Sequence, residues 1–556
     1  ARFLGDCEAP YTALTPENPV TIGAYMNEPD LMNNKYQICE AMENAKSVTK
    51  DVFREYEKLT GRKYSPVETY KTEDADIIVF LTGSVFPTMT EAADRLREKG
   101  IKVGIVGLVQ IRPYPKEEIA EALKKTKVII SLDKQDSYSN LGGNLTTEMK
   151  SVLSDFKLTP EVVTRVYGIG GKEVTLEDCE NLIQFGIDTL NGKKVKSFDY
   201  FGVNKGEGGK LVHGIKPLTL EQQTSEICVE MGDNNKLIVK NVNLRKLMRK
   251  EKRIGPGHGA CPGCGIFSTV NQFLLGIEGY VVMLWHTGCG MFVSTGYPFT
   301  SFNCTYVHNL FQNGAATLSG LCEMYAEKKR RGELPKDEEI TFIMITGDGG
   351  HDIGMGPSIG AANRNQNIII IEYDNEGYMN TGNQLSYSTP LGHRTSTSNV
   401  GPAQKGKAFQ HKDTAQIFAA THIPYIFTGT EAFPLDLIKK AAKAQWYAKN
   451  KGLAFGKLLS ACPLNWRTDD HLGKEVVEAA TNCNFFPLYE IEQGITTITH
   501  FPEEKNKHIP VANWLKMMGK TKHLIKDDCK TILSETEKEI ERRWKRLKAM
   551  HEHPLL

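Results

Sequence analysis

Apolar and polar positions alternate with two different periods along most of this chain. Short apolar runs between turn-forming residues predict buried strands, and longer segments with apolar residues on one side predict helices. The predicted strands of the first half are IIVFLTGS (77–84), VGIVGLVQI (103–111) and VIISLDK (128–134), and the helices 89–100 and 115–126 lie between them. Strand–helix–strand order with short connections predicts a parallel sheet with right-handed crossovers.

The same alternation returns in the second half of the chain. Strands are predicted at 280–285, 340–346, 367–374 and 454–462, and helices at 309–331 and 434–450, with a charged amphipathic helix at 532–550. A polar helix is also predicted at 35–59, before the first alternating unit. The predicted fold class is therefore α/β, with two open, mostly parallel sheets that carry helices on both faces.

Weaker patterning divides the chain into predicted segments. GVNKGEGGK and KLMRKEKR lie in a stretch without clear periodicity, which predicts a linker between two compact units. The predicted segments are a turn-rich connector at 1–72 that contains TPENP, a first α/β domain at 73–195, a linker at 196–257, a second α/β domain at 258–515 and a helical extension at 516–556.

Composition narrows the class of protein. The 556 residues are 40% hydrophobic and 24% charged, which is typical of a globular protein. With a net charge of +1, the overall electrostatic field does not favour binding to nucleic acid or to an anionic membrane. No apolar run is long enough to span a bilayer, and ARFLGDCEAPYTA lacks the features of a secretory signal. Twelve cysteines in such a chain indicate thiols or metal ligands in a reducing, cytoplasmic setting.

A carboxylate between glycines follows a predicted strand in ITGDGGHDIGMG (345–356). Glycine allows the backbone to approach a phosphate, and the N-terminus of a following helix offers free N–H groups. The next predicted strand ends in DNEGYMNTGNQ, so Asp348 and Asn375 are expected side by side at one sheet edge. Their oxygens and a nearby main-chain carbonyl fit Mg²⁺. The alternative is a tight turn with an N-capping aspartate; the segment matches neither a Walker loop nor GxGxxG.

A Cys-x-x-Cys pair lies in GHGACPGCG (257–265), at Cys261 and Cys264. Such a pair is compatible with zinc, a redox pair or half of an iron–sulfur site, and the lack of a second such pair disfavours a zinc ribbon. Cys289 and Cys462 each follow an apolar strand and are expected at the edge that carries Asp348. Cys322 falls in a helical pattern and is expected in the core; other candidate thiols are Cys304 and Cys483.

The GDGG and DNEGYMNTGNQ segments resemble the diphosphate-binding motif of thiamine-diphosphate enzymes, in particular the 2-oxoacid:ferredoxin oxidoreductases. The resemblance implies thiamine diphosphate with Mg²⁺ bound by Asp348, Asn375 and the carbonyl of Gly377, and it places Asn380 near the reactive centre of the thiamine. The glycines expected around the cofactor are Gly347, Gly349, Gly350 and Gly288.

The resemblance also implies one 4Fe-4S cluster close to the thiamine, bound by Cys261, Cys264, Cys289 and Cys462, with Cys289 beside the cofactor as well. Buried thiols that act as small apolar residues are the alternative. His286 is expected near the site, where it contacts a substrate carboxylate or the diphosphate, or serves as a hydrogen-bonded structural histidine.

Residues 77–190 resemble the transketolase C-terminal-like domain of the same family, with IRPYP (111–115) as the supporting turn, and 1–72 resemble the tail of a pyrimidine-binding domain. The resemblance implies partner subunits that supply the pyrimidine-binding domain, with its glutamate, and a two-cluster ferredoxin-like domain, because no CxxCxxCxxxCP run is present. It further implies a dimer of heteromers that passes electrons to ferredoxin.

The implied activity is thiamine-dependent oxidative decarboxylation of a 2-oxoacid, with pyruvate as the default, usually to an acyl-coenzyme A. An oxalate- or aryl-2-oxoacid-specific relative remains an alternative, and GYPFTSFNCTY (296–306) is a candidate pocket wall. Rival hypotheses are a non-redox thiamine-diphosphate decarboxylase or carboligase, a non-catalytic scaffold subunit, and a metal-dependent phosphatase, which the want of a second acidic cluster disfavours.

Overall fold

The structure is a computed structural model that describes residues 17, 20–21, 23–203, 218–232, 236–296, 300–335 and 339–553. The chain forms two compact units, which divide between Gly209 and Lys210. The predicted linker, 196–257, overlaps this division, and the predicted domain boundaries stay predictions. TPENP except for Glu17, residues 204–217 and 233–235 of the predicted linker, and 297–299 of the candidate pocket wall lie outside the described residues.

The first unit is built on a six-stranded sheet in the order β1-β3-β2-β4-β5-β6, in which only β1 is antiparallel to its neighbour. Its strands are β1 (Val67–Tyr70), β2 (Ile77–Leu81), β3 (Val103–Leu108), β4 (Val128–Asp133), β5 (Glu161–Val166) and β6 (Phe198–Tyr200), and its helices are α1 (Asp30–Thr60), α2 (Phe86–Glu98), α3 (Lys116–Leu123), α4 (Asn144–Asp155) and α5 (Leu176–Leu190).

Alternate residues of the central strands in this unit pack on opposite faces of the sheet. On β2, Ile77 and Val79 pack with α2 and α5, whereas Ile78 and Phe80 pack with α3 and α4. Because both faces are covered, these strands are apolar at every position rather than at every second one. This burial explains why the sequence shows continuous apolar runs here.

The second unit has a longer set of elements. Its strands are β7 (Cys228–Met231), β8 (Leu237–Lys240), β9 (Tyr280–His286), β10 (Thr305–Asn309), β11 (Ile340–Gly347), β12 (Ile369–Asp374), β13 (Tyr425–Thr430), β14 (Ala454–Leu459), β15 (Tyr489–Glu492) and β16 (Ile495–Ile498). Its helices are α6 (Leu244–Leu247), α7 (Gly265–Leu275), α8 (Cys289–Phe292), α9 (Gly314–Arg330), α10 (Asp348–Asn363), α11 (Thr414–Ala419), α12 (Pro434–Asn450), α13 (Pro463–Trp466), α14 (Gly473–Asn482), α15 (Val511–Lys516) and α16 (Lys530–Glu552).

An eight-stranded sheet in the order β10-β9-β11-β12-β14-β13-β15-β16 forms the centre of this unit. The strands from β10 to β13 are parallel to one another, and β15 and β16 continue the sheet antiparallel. Helices α7 and α12 cover one face, and α9, α10, α11 and α16 cover the other. Strands β7 and β8 form a separate antiparallel pair.

The predicted fold class is confirmed. The helix predicted over 309–331 is α9, which begins at Gly314, whereas strand β10, which precedes it, was not predicted. The β-branched and aromatic residues of TYVHN pair in register with β9, and this parallel pairing extends the sheet by one strand. In the described part of the chain, every helix is either too short or too polar to cross a membrane.

Candidate functional site

Four adjacent parallel strands, β9, β11, β12 and β14, end at the same edge of the large sheet. The segments that leave these ends carry Cys289, Asp348, Asn375 and Cys462. Gly347 pairs with Tyr373 and Asp374 with Leu459, so the ends of β11, β12 and β14 are level with one another. The edge where ligands bind in open α/β sheets therefore gathers most of the predicted site residues.

Asp348 and Asn375 are both buried at this edge, and each has an oxygen without a hydrogen-bond partner. Asp348 is 3% exposed and Asn375 is 3% exposed, and Asp348 Oδ2 and Asn375 Oδ1 are buried without a partner in the described residues. Burial, and then the nearby carboxylate of Asp374, hold the pKa of Asp348 well above its ordinary value. Such orphaned oxygens fit a bound cation such as Mg²⁺.

The glycines of GDGG are required by close packing rather than by backbone freedom. A Cβ atom on Gly350 would lie 1.8 Å from Thr346 Oγ1, and one on Gly349 would lie 3.0 Å from the ring of Tyr378. Helix α10 begins at Asp348, directly after Gly347, and its first N–H groups open onto the same edge. These features provide a place where a diphosphate can approach the main chain.

Gly288, by contrast, depends on its backbone conformation. Its φ of +152° lies where side chains are rarely tolerated, and a Cβ there would be 3.1 Å from the hydroxyl of Tyr373. The next glycine, Gly290, donates its main-chain N–H to that hydroxyl over 3.3 Å. Tyr373 therefore joins the turn that carries Cys289 to the end of β12.

The turn from Asn375 to Gly377 is held in a strained conformation by buried charges. Glu376 has φ of +63°, which is unusual for a residue with a side chain. Its carboxylate accepts from Lys520 Nζ, and His393 Nδ1 lies 3.5 Å away. Burial raises the pKa of Glu376, but Lys520 and His393 together outweigh burial and lower the pKa to about 2. The ion pair therefore stabilises the fold above the ordinary glutamate pKa, and this contribution is lost as the pH falls toward 2.

Replacing Lys520 by methionine is expected to lower the free energy of unfolding by about 3–5 kcal/mol, because it leaves the Glu376 carboxylate buried and unpaired. Lys520 is 1% exposed, so water cannot substitute for the lost ammonium. Lys449→Met is the matched control, since Lys449 pairs with Glu339 at the surface and its loss is expected to change stability by less than about 1 kcal/mol. Thermal and urea unfolding measure the stability of both variants. Equal losses of unfolding free energy in the two variants would contradict the prediction.

Electrostatic interactions link the predicted cysteine ligands to one another. Burial, with smaller contributions from the nearby Cys462 and Cys261, raises the pKa of Cys264 and of Cys289 to about 12. Burial also raises the pKa of Cys462, with added contributions from Cys261 and from Asp348. These four thiols therefore share one region close to Asp348, although they come from segments that are distant in the chain.

Main-chain hydrogen bonds hold the cysteine segments together. Gly265 N–H donates to the carbonyl of Ala461 over 2.8 Å, which ties the start of α7 to the turn before Cys462. Gly259 N–H donates to the carbonyl of Val293 over 2.7 Å, which ties the Cys-x-x-Cys segment to the end of α8. The described residues contain no group of three His, Cys, Asp or Glu side chains arranged around one metal ion. A multi-iron cluster instead bridges thiolates that stand apart.

The other candidate thiols lie elsewhere. Cys322 is buried in α9, as predicted, and Cys483 is buried at the end of α14. Cys304 packs against the core, and its raised pKa reflects burial opposed by Arg253 rather than any of the predicted ligands.

His286 and Asn380 differ in their accessibility. His286 is 1% exposed, its Nδ1 is 2.9 Å from Thr346 Oγ1, and its Nε2 has no partner in the described residues. Burial, and then the neighbouring His351, lower the pKa of His286 to about 3, so the ring is neutral. Asn380 is exposed after the end of β12. A contact of His286 or Asn380 with cofactor or substrate stays a prediction.

Gly314→Ala is expected to lower the free energy of unfolding by about 1–3 kcal/mol, because the added methyl group overpacks the His286 ring. A Cβ at Gly314 would lie 1.7 Å from His286 Nε2. Gly320→Ala, on the same helix α9, meets no atom within 4 Å and is expected to stabilise by about 1 kcal/mol. Urea unfolding measures the change in unfolding free energy of each variant. Changes of the same sign in Gly314→Ala and Gly320→Ala would contradict the prediction.

Several residues of the site were not found from the sequence. The Lys412 ammonium donates to the carbonyl of Asp348 over 3.0 Å and to Asp352 Oδ1 over 2.6 Å. Asn465 and Lys520 contact the Asn375–Gly377 turn or its side chains. Nothing in their local sequence marks Lys412 or Lys520, whereas Asn465 could have been suspected because it follows Cys462 closely.

Comparisons with known proteins agree with this site. Residues 291–455 match the family model of the thiamine pyrophosphate enzyme C-terminal TPP-binding domain, and residues 75–179 match core domain II of pyruvate:ferredoxin oxidoreductase. The fold and the site thus define a thiamine-diphosphate-binding protein.

Two curated relatives are most informative. The chain is 37% identical over 322 residues to pyruvate synthase subunit PorB of Thermotoga maritima, which covers 56% of this chain and 97% of the relative. It is 31% identical over 317 residues to ketoisovalerate oxidoreductase subunit VorB of Pyrococcus furiosus, covering 57% of this chain and 98% of that relative. The chain belongs to the 2-oxoacid:ferredoxin oxidoreductase family, whose members are oxidoreductases that act on 2-oxoacids with ferredoxin as the acceptor.

Among solved structures, the chain is similar to a 2-oxoglutarate:ferredoxin oxidoreductase from Magnetococcus marinus, with a TM-score of 0.31 and 18% identity, covering 39% of this chain and 69% of that chain. Both curated relatives are single subunits of their enzymes, which supports a heteromeric assembly for this chain.

Proposed function

We propose that this chain is the subunit of a pyruvate:ferredoxin oxidoreductase that binds thiamine diphosphate, Mg²⁺ and one 4Fe-4S cluster, and that it supports the oxidative decarboxylation of pyruvate to acetyl-coenzyme A. The observation that carries the proposal is the gathering of Asp348, Asn375 and four cysteine thiols at the ends of adjacent strands. Relatives named as pyruvate synthase subunits support pyruvate as the substrate.

The donor set fits each proposed group. The orphaned oxygens of Asp348 and Asn375, with the carbonyl of Gly377, would hold Mg²⁺, which prefers oxygen ligands and bridges phosphates. Cys261, Cys264, Cys289 and Cys462 would hold the iron–sulfur cluster. Bound together, thiamine diphosphate would supply the carbon chemistry and the cluster a route for single electrons.

The chain itself contributes binding and exclusion of water. Helix α10 and its glycines would receive the diphosphate, and the ion pair of Glu376 with Lys520 fixes the turn that carries Asn375. The hydroxyl of Tyr373, near the end of β12, accepts from the main-chain N–H of Gly290 in the cysteine turn, and this contact holds the two proposed cofactor sites together.

Partner subunits complete the proposed enzyme by supplying the pyrimidine-binding domain and a two-cluster ferredoxin-like domain, in a dimer of heteromers. Phe292 and Leu464, which follow Cys289 and Cys462, are 66% and 65% exposed, and exposed apolar side chains beside a site favour an interface there. The described cysteines are all free thiols, which supports a reducing, cytoplasmic location.

A substrate panel on the native complex tests this function. Pyruvate, 2-oxoisovalerate, 2-oxoglutarate, oxalate and an aryl 2-oxoacid are each supplied with a viologen acceptor, with coenzyme A present or omitted. We expect viologen reduction with pyruvate that depends on coenzyme A, and loss of it after removal of thiamine diphosphate. If the complex turns over another 2-oxoacid in preference to pyruvate, that 2-oxoacid becomes the assigned substrate. A native complex that contains no iron or no thiamine diphosphate would overturn the proposal.

A further inference from the structure

The short helix α13, which begins directly after Cys462, also holds the turn that follows β12. Asn465 Nδ2 donates to the main-chain carbonyl of Asn375 over 2.7 Å, and Trp466 Nε1 donates to the same carbonyl over 3.3 Å. Asn465 is 0% exposed and Trp466 is 1% exposed, so water does not compete for this carbonyl. Two side chains of one helix turn thus donate to one acceptor in the Asn375–Gly377 turn, which is the predicted metal loop.

Asn465 also packs against the next part of that loop. A Cβ on Gly377 would lie 3.1 Å from Asn465 Nδ2, so the amide lies against the loop at Gly377 as well as at the Asn375 carbonyl. The side chain of Asn375 has an oxygen without a partner in the described residues, so its own side chain does little to fix the turn. The orientation of the turn therefore depends on groups that hold its main chain.

Helix α13 is itself firmly anchored. Trp466 N–H donates to the carbonyl of Cys462 over 2.8 Å, and Lys520 N–H donates to the carbonyl of Trp466 over 3.3 Å. Lys520 Nζ lies 5.5 Å from the centre of the Trp466 ring and also pairs with Glu376. Trp466 consequently connects the Cys462 turn to the metal loop through direct hydrogen bonds.

We propose that Asn465 is a positioning residue that orients the Asn375–Gly377 turn for the divalent cation and the diphosphate, and that it couples this turn to the Cys462 turn. The inference rests on the proposed function. Groups that orient metal ligands typically change metal affinity by about 10–100-fold when they are removed. Asn465 matches that description because its Nδ2 fixes the main-chain carbonyl of the residue that would supply a ligand oxygen.

The test measures Mg²⁺ affinity rather than turnover. Mg²⁺ is titrated at a fixed concentration of thiamine diphosphate, and bound thiamine diphosphate is measured by equilibrium dialysis of the native complex, with iron content determined on the same samples. Asn465→Leu keeps the shape but removes the donor, and is expected to weaken Mg²⁺ affinity about 10–100-fold with iron content unchanged. Trp466→Phe removes the longer hydrogen bond to the Asn375 carbonyl and is expected to weaken Mg²⁺ affinity less than Asn465→Leu does.

Asn482→Leu is the matched control. Asn482 is a buried amide at the end of α14, and its Oδ1 accepts from His500 Nε2 over 3.0 Å, so its loss is expected to leave Mg²⁺ affinity unchanged. If the native complex binds no thiamine diphosphate with Mg²⁺, the proposed function fails. If it binds and Asn465→Leu binds equally well, the inference alone is overturned. If Asn465→Leu does not fold, the Mg²⁺ affinity of Trp466→Phe tests the inference instead. An Mg²⁺ affinity of Trp466→Phe equal to that of the native complex would then overturn it.

A double-mutant cycle tests the coupling to Cys462. Cys462→Ser is expected to weaken Mg²⁺ affinity when Asn465 is present and to have a smaller effect in the Asn465→Leu background, because residues that act through one contact are not additive. Equal effects of Cys462→Ser in both backgrounds would overturn the coupling.

Discussion

Asp348→Asn is expected to stabilise the cofactor-free protein and to abolish its Mg²⁺-dependent binding of thiamine diphosphate. The carboxylate is 3% exposed, its Oδ2 has no partner in the described residues, and burial together with Asp374 disfavours its charged form. A neutral amide of the same shape removes that cost, worth about 1–3 kcal/mol for a buried group without a partner. A lost metal ligand is expected to weaken cation binding by more than the roughly 100-fold seen for groups that only orient ligands.

Asp352→Asn, in the same helix α10, provides a control with the opposite sign. Asp352 accepts from Lys412 Nζ over 2.6 Å, from Tyr378 OH over 2.7 Å and from the main-chain N–H of Tyr387 over 2.9 Å. Its neutralisation breaks a buried ion pair and is expected to destabilise by about 3–5 kcal/mol. Thermal unfolding with and without Mg²⁺ and thiamine diphosphate measures both variants. An Asp348→Asn protein that is less stable than the native one would show that this carboxylate is structural.

Cys462→Ser is expected to remove the iron and to reduce viologen reduction by the native complex to the background level. Its thiol lies with those of Cys264, Cys289 and Cys261, and Cys462 and Cys261 add to the rise that burial causes in the pKa of the Cys264 and Cys289 thiols. A serine oxygen at one corner is a poor ligand for iron in a cluster built on thiolates. Iron analysis, broad absorption near the border of the visible and ultraviolet, and acceptor reduction measure the effect.

Cys304→Ala is the control for a cysteine that packs against the core. Burial raises the pKa of Cys304 and Arg253 lowers it, and none of the predicted cluster ligands affects it. We expect the iron content and activity of this variant to equal those of the native complex. Iron loss from Cys304→Ala, or full iron retention in Cys462→Ser, would contradict the assignment of the four ligands.

These two predictions share a physical basis, because the site is built from groups that are unfavourable without their ligands. Asp348 and Asn375 have buried oxygens without partners among the residues that the structure describes, and Glu376 adopts a strained backbone between Asn375 and Gly377. Local strain and unpaired polar groups are concentrated at functional sites, where the surrounding structure holds them in place. Lys520 supplies that restraint from a segment far along the chain.

Seven strands, among them β2, β11 and β12, could be predicted from the sequence pattern, because burial on both faces leaves apolar runs there. The failure to predict β10 has a matching cause. Strand β10 is short and only partly buried, so its residues show no such run, and only pairing with β9 makes it a strand.

The local sequence was also sufficient to select Asp348, Asn375 and the Cys-x-x-Cys pair, since glycines beside a carboxylate and closely spaced thiols each have a chemical reason to occur together. The proximity of Asp348 and Asn375 to Cys289 and Cys462 followed from a general rule of parallel sheets, that strand ends share one edge. By contrast, the partners that hold these residues, Lys520 for Glu376 and Asn465 for the Asn375 carbonyl, were decided only by tertiary structure. A buried charge or carbonyl takes whichever donor the fold brings within reach, and no periodicity in the chain encodes that choice.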